Sequence, residues 1–110
     1  NPDLVVHRGN VEELCAGSIA KTFESIGGEV IYYGKPYEEV YKMCFNQKEK
    51  VLAIGDNLRT DIKGANNLNI DSLFIYSGVH RNEFKTDTEL LALLAKYGVR
   101  TNYFQKELKW

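Results

Sequence analysis

One hundred and ten residues with 14 basic and 15 acidic side chains, for a formal net charge of −1, hold no charge excess to recruit a nucleic acid or a membrane surface. A composition of 44% hydrophobic and 12% aromatic residues with two prolines fits one ordinary folded domain and excludes a disordered tract. No apolar run reaches the roughly 18 residues of a membrane span, and Cys15 and Cys44 form no CxxC or Cys/His ligand pattern, which favours reduced core thiols and a cytoplasmic setting.

In chain order, Leu4-Val5-Val6 reads as a short strand that Arg8-Gly9-Asn10 breaks. Apolar side chains at Val11, Leu14, Cys15, Ile19, Phe23 and Ile26 recur in steps of three or four and predict a helix, which Gly27-Gly28 closes. Glu29 to Tyr33 is β-branched and aromatic, a strand pattern. Gly34-Lys35-Pro36 follows, with Pro36 suited to the first turn of a helix that carries Tyr37, Val40, Tyr41 and Cys44 on one side. Val51 to Ile54 is a continuous apolar run, expected of a strand buried on both faces of a parallel sheet. A helix from Leu58 to Leu68, a strand from Leu73 to Tyr76 and a helix opened by Thr86-x-x-Glu89 and closed by Gly98 complete the pattern. Residues 99–110 carry no assignable period. The alternation predicts an α/β fold with right-handed crossovers.

Chemistry concentrates where ligands bind in such sheets, at the carboxyl ends of strands. Gly55-Asp56 stands at one such end. A carboxylate there suits Mg²⁺, which takes one or two protein carboxylates together with phosphate oxygens and water. Asp61 falls in the first turn of the next helix, where helix capping is an equally good account of an acidic residue. Lys35, between Gly34 and Pro36, can aim its ammonium at the same crevice, although alone it would read as a solvated surface lysine. Together the three suit phosphoryl chemistry.

Gly34-Lys35-Pro36, then Gly55-Asp56-Asn57-Leu58-Arg59-Thr60-Asp61-Ile62 with Gly64-Ala65, resemble the third and fourth motifs of the haloacid dehalogenase-like (HAD) phosphatases. Asn1-Pro2-Asp3, Cys15-Ala16-Gly17 and Ser77-Gly78-Val79 are similar to the NagD-like subfamily, so the likeness covers residues 1–80. It implies half of a Rossmann-like parallel sheet flanked by helices: residues 1–8 ending a cap insertion, 9–80 forming the carboxyl-terminal half of the core, and 81–110 a final helix and tail. It also implies Asp56 as a Mg²⁺ ligand, Asp61 as a carboxylate ordering metal and lysine, and Lys35 as the cation facing nucleophile and phosphoryl group. Asn57 would hold a metal-bound water, and Asp3 would stand at the substrate entrance. The substrate would be a small phosphorylated metabolite.

The family's aspartate nucleophile, in a DxDGT-like motif, has no counterpart in these 110 residues, nor has its second motif. The expectation is therefore a carboxyl-terminal portion, inactive alone, that requires its amino-terminal half or another copy of itself to cover an open strand edge. A rival reading is a non-catalytic module kept for protein association. A nucleotide-binding Rossmann unit ranks lower, because no G-x-G-x-x-G turn is present. His7 and His80 are expected in surface or loop roles, Arg59 and Arg81 as solvated or substrate-facing cations, and Tyr32, Tyr33, Tyr37 and Tyr41 as core packing.

Overall fold

Gly9 takes a left-handed φ of +63° and folds Val11–Leu14 (β2) back onto Val5–Arg8 (β1) as an antiparallel hairpin, with Val5 opposite Leu14 and Arg8 opposite Val11. The computed structural model describes residues 2–9, 11–46 and 49–109, without the His7 side chain, so the expectations resting on Asn1, Asn10, His7 and Trp110 lie outside the described residues. The helix expected from Val11 is thereby shortened. Its first four residues satisfy their backbone groups across the hairpin, and the helix proper is Ala16–Ser25 (α1). Its end is as the glycines imply: Gly28 N–H donates to Phe23 C=O and Gly27 N–H to Glu24 C=O, the paired bonds of a Schellman cap.

Residues 29–33 join no sheet among the described residues, against expectation. Strand propensity expresses itself only beside a partner edge, and none is adjacent. Pro36 also precedes its helix instead of opening it. Tyr37 N–H donates to Gly34 C=O (2.9 Å) across a turn with a cis Lys35-Pro36 bond, and Glu38–Lys42 (α2) begins beyond.

A parallel sheet holds the remainder. Leu52–Gly55 (β3) pairs with Asp71–Ile75 (β4), which pairs with Tyr103–Gln105 (β5), in the order β3-β4-β5. Between the strands run a π turn, Leu58–Ile62, continuing into Lys63–Asn67 (α3), and the helix Asp87–Tyr97 (α4). Three parallel strands in sequential order put both connecting helices on one face when their crossovers share the usual right hand. On that face Leu58, Ile62, Phe74, Leu90, Leu93 and Leu94 form the core, with Tyr76, Phe84, Tyr97 and Val99 against it. The other face carries Leu52 and Ile54, 45% and 40% exposed. Within the described residues β3 is therefore buried on one face and pairs on one edge only. The α1 stripe is also uncovered, with Ile19, Phe23 and Ile26 all exposed, and the cysteines are not core thiols: Cys15 caps α1 half-buried and Cys44 is exposed.

The expected start of α4 is in place. Glu89 N–H donates to Thr86 Oγ1 (3.2 Å), while the Glu89 carboxylate accepts from Lys85 N–H (2.6 Å), one residue earlier than a standard capping box. Thr86→Ala is expected to cost about 1 kcal/mol, read as a lowered urea midpoint at unchanged m-value. Among the described residues no helix is long and apolar enough to cross a membrane.

Candidate active site

Gly55 ends β3, and the chain bends so that two successive amides face the side chain of Asp61. Asp61 Oδ2 accepts from Asp56 N–H (3.2 Å) and Asn57 N–H (3.1 Å), and Oδ1 is ion-paired with Lys35 Nζ. The carboxylate fills this bend so closely that a Cβ on Gly55 would run into it, and Asp61 is only 7% exposed. Its presence in a π turn is explained by the same bonding. Asp61 N–H and Ile62 N–H both donate to Asn57 C=O (2.9 and 3.2 Å), and Asn57 Oδ1 caps the turn by accepting from Arg59 N–H (2.9 Å). The Asp61 carboxylate thus binds the amide of the capping residue Asn57 and meets Lys35 at the cavity.

Lys35 arrives from the opposite side of the crevice. Its turn is braced by Tyr32 and Tyr37, whose rings stack with centroids 5.0 Å apart, and by Tyr32 Oη donating to Glu24 of α1 (3.0 Å). Asp3 is brought in by the amino-terminal end of α1, where Gly17 N–H bonds Asp3 C=O (3.0 Å) and Cys15 N–H bonds Leu4 C=O (2.8 Å). A Cβ on Gly17 would strike the Pro2 and Asp3 carbonyls, so this contact requires the glycine. Asp56 Oδ2 accepts from Val79 N–H (2.9 Å), and Gly78 lies so near that any side chain there would displace the carboxylate.

Lys35, Asp56, Asn57, Asp61 and Asp3 line one cavity of about 420 Å³, which Tyr33, Thr60 and Val79 complete. Its donor set fits a hard divalent cation in part. Asp61 has both oxygens engaged, whereas Asp56 Oδ1 has no hydrogen bond among the described residues and is the one carboxylate oxygen of the pair open to a metal. Among the described residues no three His, Cys, Asp or Glu side chains cluster as a metal site.

Expectations for neighbouring residues are corrected in part. Tyr33 is exposed at the cavity, not core. Arg59 and Arg81 are exposed, as the solvated alternative expected: Arg59 lies over the Tyr97 ring of α4 (5.2 Å) and donates to its hydroxyl, and Arg81 lines a different cavity. His80 is no surface residue: it is 2% exposed, between Leu58 and Glu83. The His80-x-x-Glu83 spacing in the turn that follows β4 was the signal available for it. Two pKa shifts surround the site. Burial, then the charge of Asp61, then Cys44 push the Tyr41 phenol up, and its hydroxyl, pressed on Gly64, has no hydrogen-bond partner among the described residues. The hydrogen bond from His80 holds the Glu83 carboxyl below its usual range.

A family model for HAD-hydrolase-like proteins matches residues 32–102, more than half of the chain. The chain belongs to the haloacid dehalogenase-like hydrolase family. Among curated proteins the HAD chain is similar to the 5′-nucleotidase YutF of Bacillus subtilis, with 31% identity over 67 residues, covering 57% of this chain and 26% of that one. A HAD-like hydrolase from Brucella suis superposes with a TM-score of 0.70 at 27% identity over 99% of the chain. A p-nitrophenyl phosphatase from Archaeoglobus fulgidus does so with 0.74 at 18% identity over 97%, a likeness of fold. This chain spans 42% and 41% of those two structures.

Proposed function

We propose that this HAD chain is the lysine- and metal-binding portion of a NagD-like, Mg²⁺-dependent phosphohydrolase that acts on a small phosphate monoester through a phosphoaspartyl intermediate. The observation that carries the reading is the Lys35–Asp61 ion pair beside an Asp56 carboxylate with one open oxygen, on one cavity wall at the carboxyl end of a parallel strand.

Asp56 would hold the Mg²⁺, with Asn57 near enough to share a metal-bound water. Bound there, the ion supplies charge neutralisation at the phosphoryl oxygens. Lys35, held by Asp61, presents a fixed cation to the phosphoryl group and to the attacking carboxylate, and a charge already in place needs no reorganisation as negative charge moves in the transition state. Asp61 orients both partners, since its two oxygens bind the lysine and the amides flanking Asp56. Asp3 borders the entrance, and residues 1–8 would belong to the cap. The nucleophile would come from a segment outside these residues, whose strand pairs with the open edge of β3 and whose packing covers Leu52 and Ile54.

That same open edge and apolar face also suit the second reading, a module that associates through them without catalysis. The two separate in one assay, hydrolysis of p-nitrophenyl phosphate by the complete protein. Loss of turnover with EDTA and recovery with Mg²⁺ is the expected result. No turnover at any Mg²⁺ concentration would leave association as the function.

A further inference from the structure

Leu58 N–H opens the π turn and has no partner within it, one of the amides that a helix start leaves unsatisfied. It is buried under β4, so water does not supply the missing acceptor. His80 does. Its Nε2 accepts this N–H at 3.1 Å, which makes Nδ1 the protonated nitrogen, and Nδ1–H donates to Glu83 Oε1 at 2.6 Å. Glu83 is anchored in turn by the hydroxyl of Tyr97 (3.2 Å), whose ring meets the imidazole edge to face with centroids 5.1 Å apart. Phe74 of β4 packs on the other side, with centroids 6.1 Å apart.

The peptide bond held in this way is the one between Asn57 and Leu58. Its C=O receives Asp61 N–H and Ile62 N–H, and its N–H is fixed by His80, so both ends of the plane are clamped. The residues immediately before it contribute the two amides that bind Asp61 and the side chain of Asp56. A rotation of this plane would carry those amides off the Asp61 carboxylate, and the grip on Lys35 with them.

We propose that His80 is a positioning residue for the phosphoryl site: as a neutral acceptor braced by Glu83, it locks the Asn57–Leu58 peptide and thereby the Asp56, Asp61 and Lys35 geometry. This inference rests on the phosphatase reading for its effect on rate, but not for its effect on the loop. The histidine touches neither the cavity nor any group that would meet substrate, so its influence passes entirely through the backbone.

The test compares His80→Leu with His80→Gln in the complete protein. Leucine fills the space without an acceptor. Glutamine can offer Oε1 to Leu58 N–H and an amide N–H to Glu83. His80→Leu is expected to lower kcat by about 10–100-fold and to weaken Mg²⁺ activation, with KM for the phosphate ester little changed, in line with other groups that orient a ligand from behind. His80→Gln should recover most of the activity even where both variants melt at the same lowered temperature. Hydrogen exchange over residues 56–62 should rise in His80→Leu and stay near wild type in His80→Gln. Equal activity losses in the two variants, tracking their melting temperatures, would overturn the proposal. Were the wild-type protein inactive, the phosphatase reading alone would fall, and the exchange comparison would still decide the role of His80: unchanged protection in His80→Leu refutes it.

Discussion

Asp56→Ala in the complete protein is expected to lower kcat/KM for phosphate monoesters by about 10³-fold or more while leaving the fold intact. A bound divalent ion contributes several kcal/mol of charge stabilisation to a phosphoryl transition state, and each 1.36 kcal/mol is a factor of ten. Asp56 lines the cavity, and its Oδ1 has no hydrogen bond among the described residues. Its structural contribution is one hydrogen bond, from the amide of Val79, a residue 61% exposed, so water can replace the lost acceptor and the urea midpoint should move little. A kcat/KM within tenfold of wild type would contradict the assignment of Asp56 to the metal.

Asp61→Asn should act on stability and rate together. The carboxylate accepts from three donors, two backbone amides and the Lys35 ammonium, at a position 7% exposed. An amide of the same shape has one accepting end. Its NH₂ must point either at the backbone pair or at the lysine, leaving donor against donor in a buried bend. A loss of about 2–4 kcal/mol is expected, since hydrogen bonds to a charged group are the stronger kind and an unsatisfied donor adds its desolvation cost. Lys35→Ala provides the contrast. That side chain is 53% exposed, so its removal should shift stability by at most about 1 kcal/mol. Loss of a preorganised charge at the phosphoryl group should nevertheless lower kcat by about 10²–10³-fold. Chemical denaturation and steady-state kinetics on the two variants separate the roles. Equal destabilisation by both would mean that the lysine serves the fold and not the reaction.

The elements legible in the sequence were those whose determinants are local. The π turn with α3, the strand β4 and the capped helix α4 all lie where apolar period and end signals place them. Gly27 and Gly98 stop their helices because both stand at positive φ, +89° and +61°, where an L side chain is strained. The convergence of Lys35, Asp56 and Asp61 was legible on two grounds. Gly55-Asp56 ends a strand of the parallel sheet, where ligand crevices form, whereas Lys35 follows no strand and was tied to the same site by the resemblance of Gly34-Lys35-Pro36 to a family motif.

β5 was not legible, and the reason lies in its bonding and its length. Thr101 and Asn102 dock on β4 through polar groups: Ser72 N–H donates to Asn102 Oδ1 (3.0 Å), Asn102 N–H to Ser72 C=O (3.2 Å) and Thr101 Oγ1 to the same carbonyl (3.1 Å). Asn66 of α3 brackets Arg100 from the other side, accepting its N–H at 2.7 Å. The strand that these contacts lead into, Tyr103–Gln105, is only three residues long, too short to show an apolar alternation. His80 was missed because its burial depends on Phe74, Tyr97 and Leu58 arriving from three separate segments.

Local chemistry along the chain by itself determined which residues turn, cap and carry charge at a strand end, because dihedral preference, helix capping and amphipathic period act over a few residues. Only the tertiary structure decided which apolar stripes are buried. A sheet whose strands run in sequential order receives its helices on one face, so Phe74, facing them, became core while Ile54, on the opposite face, remained open.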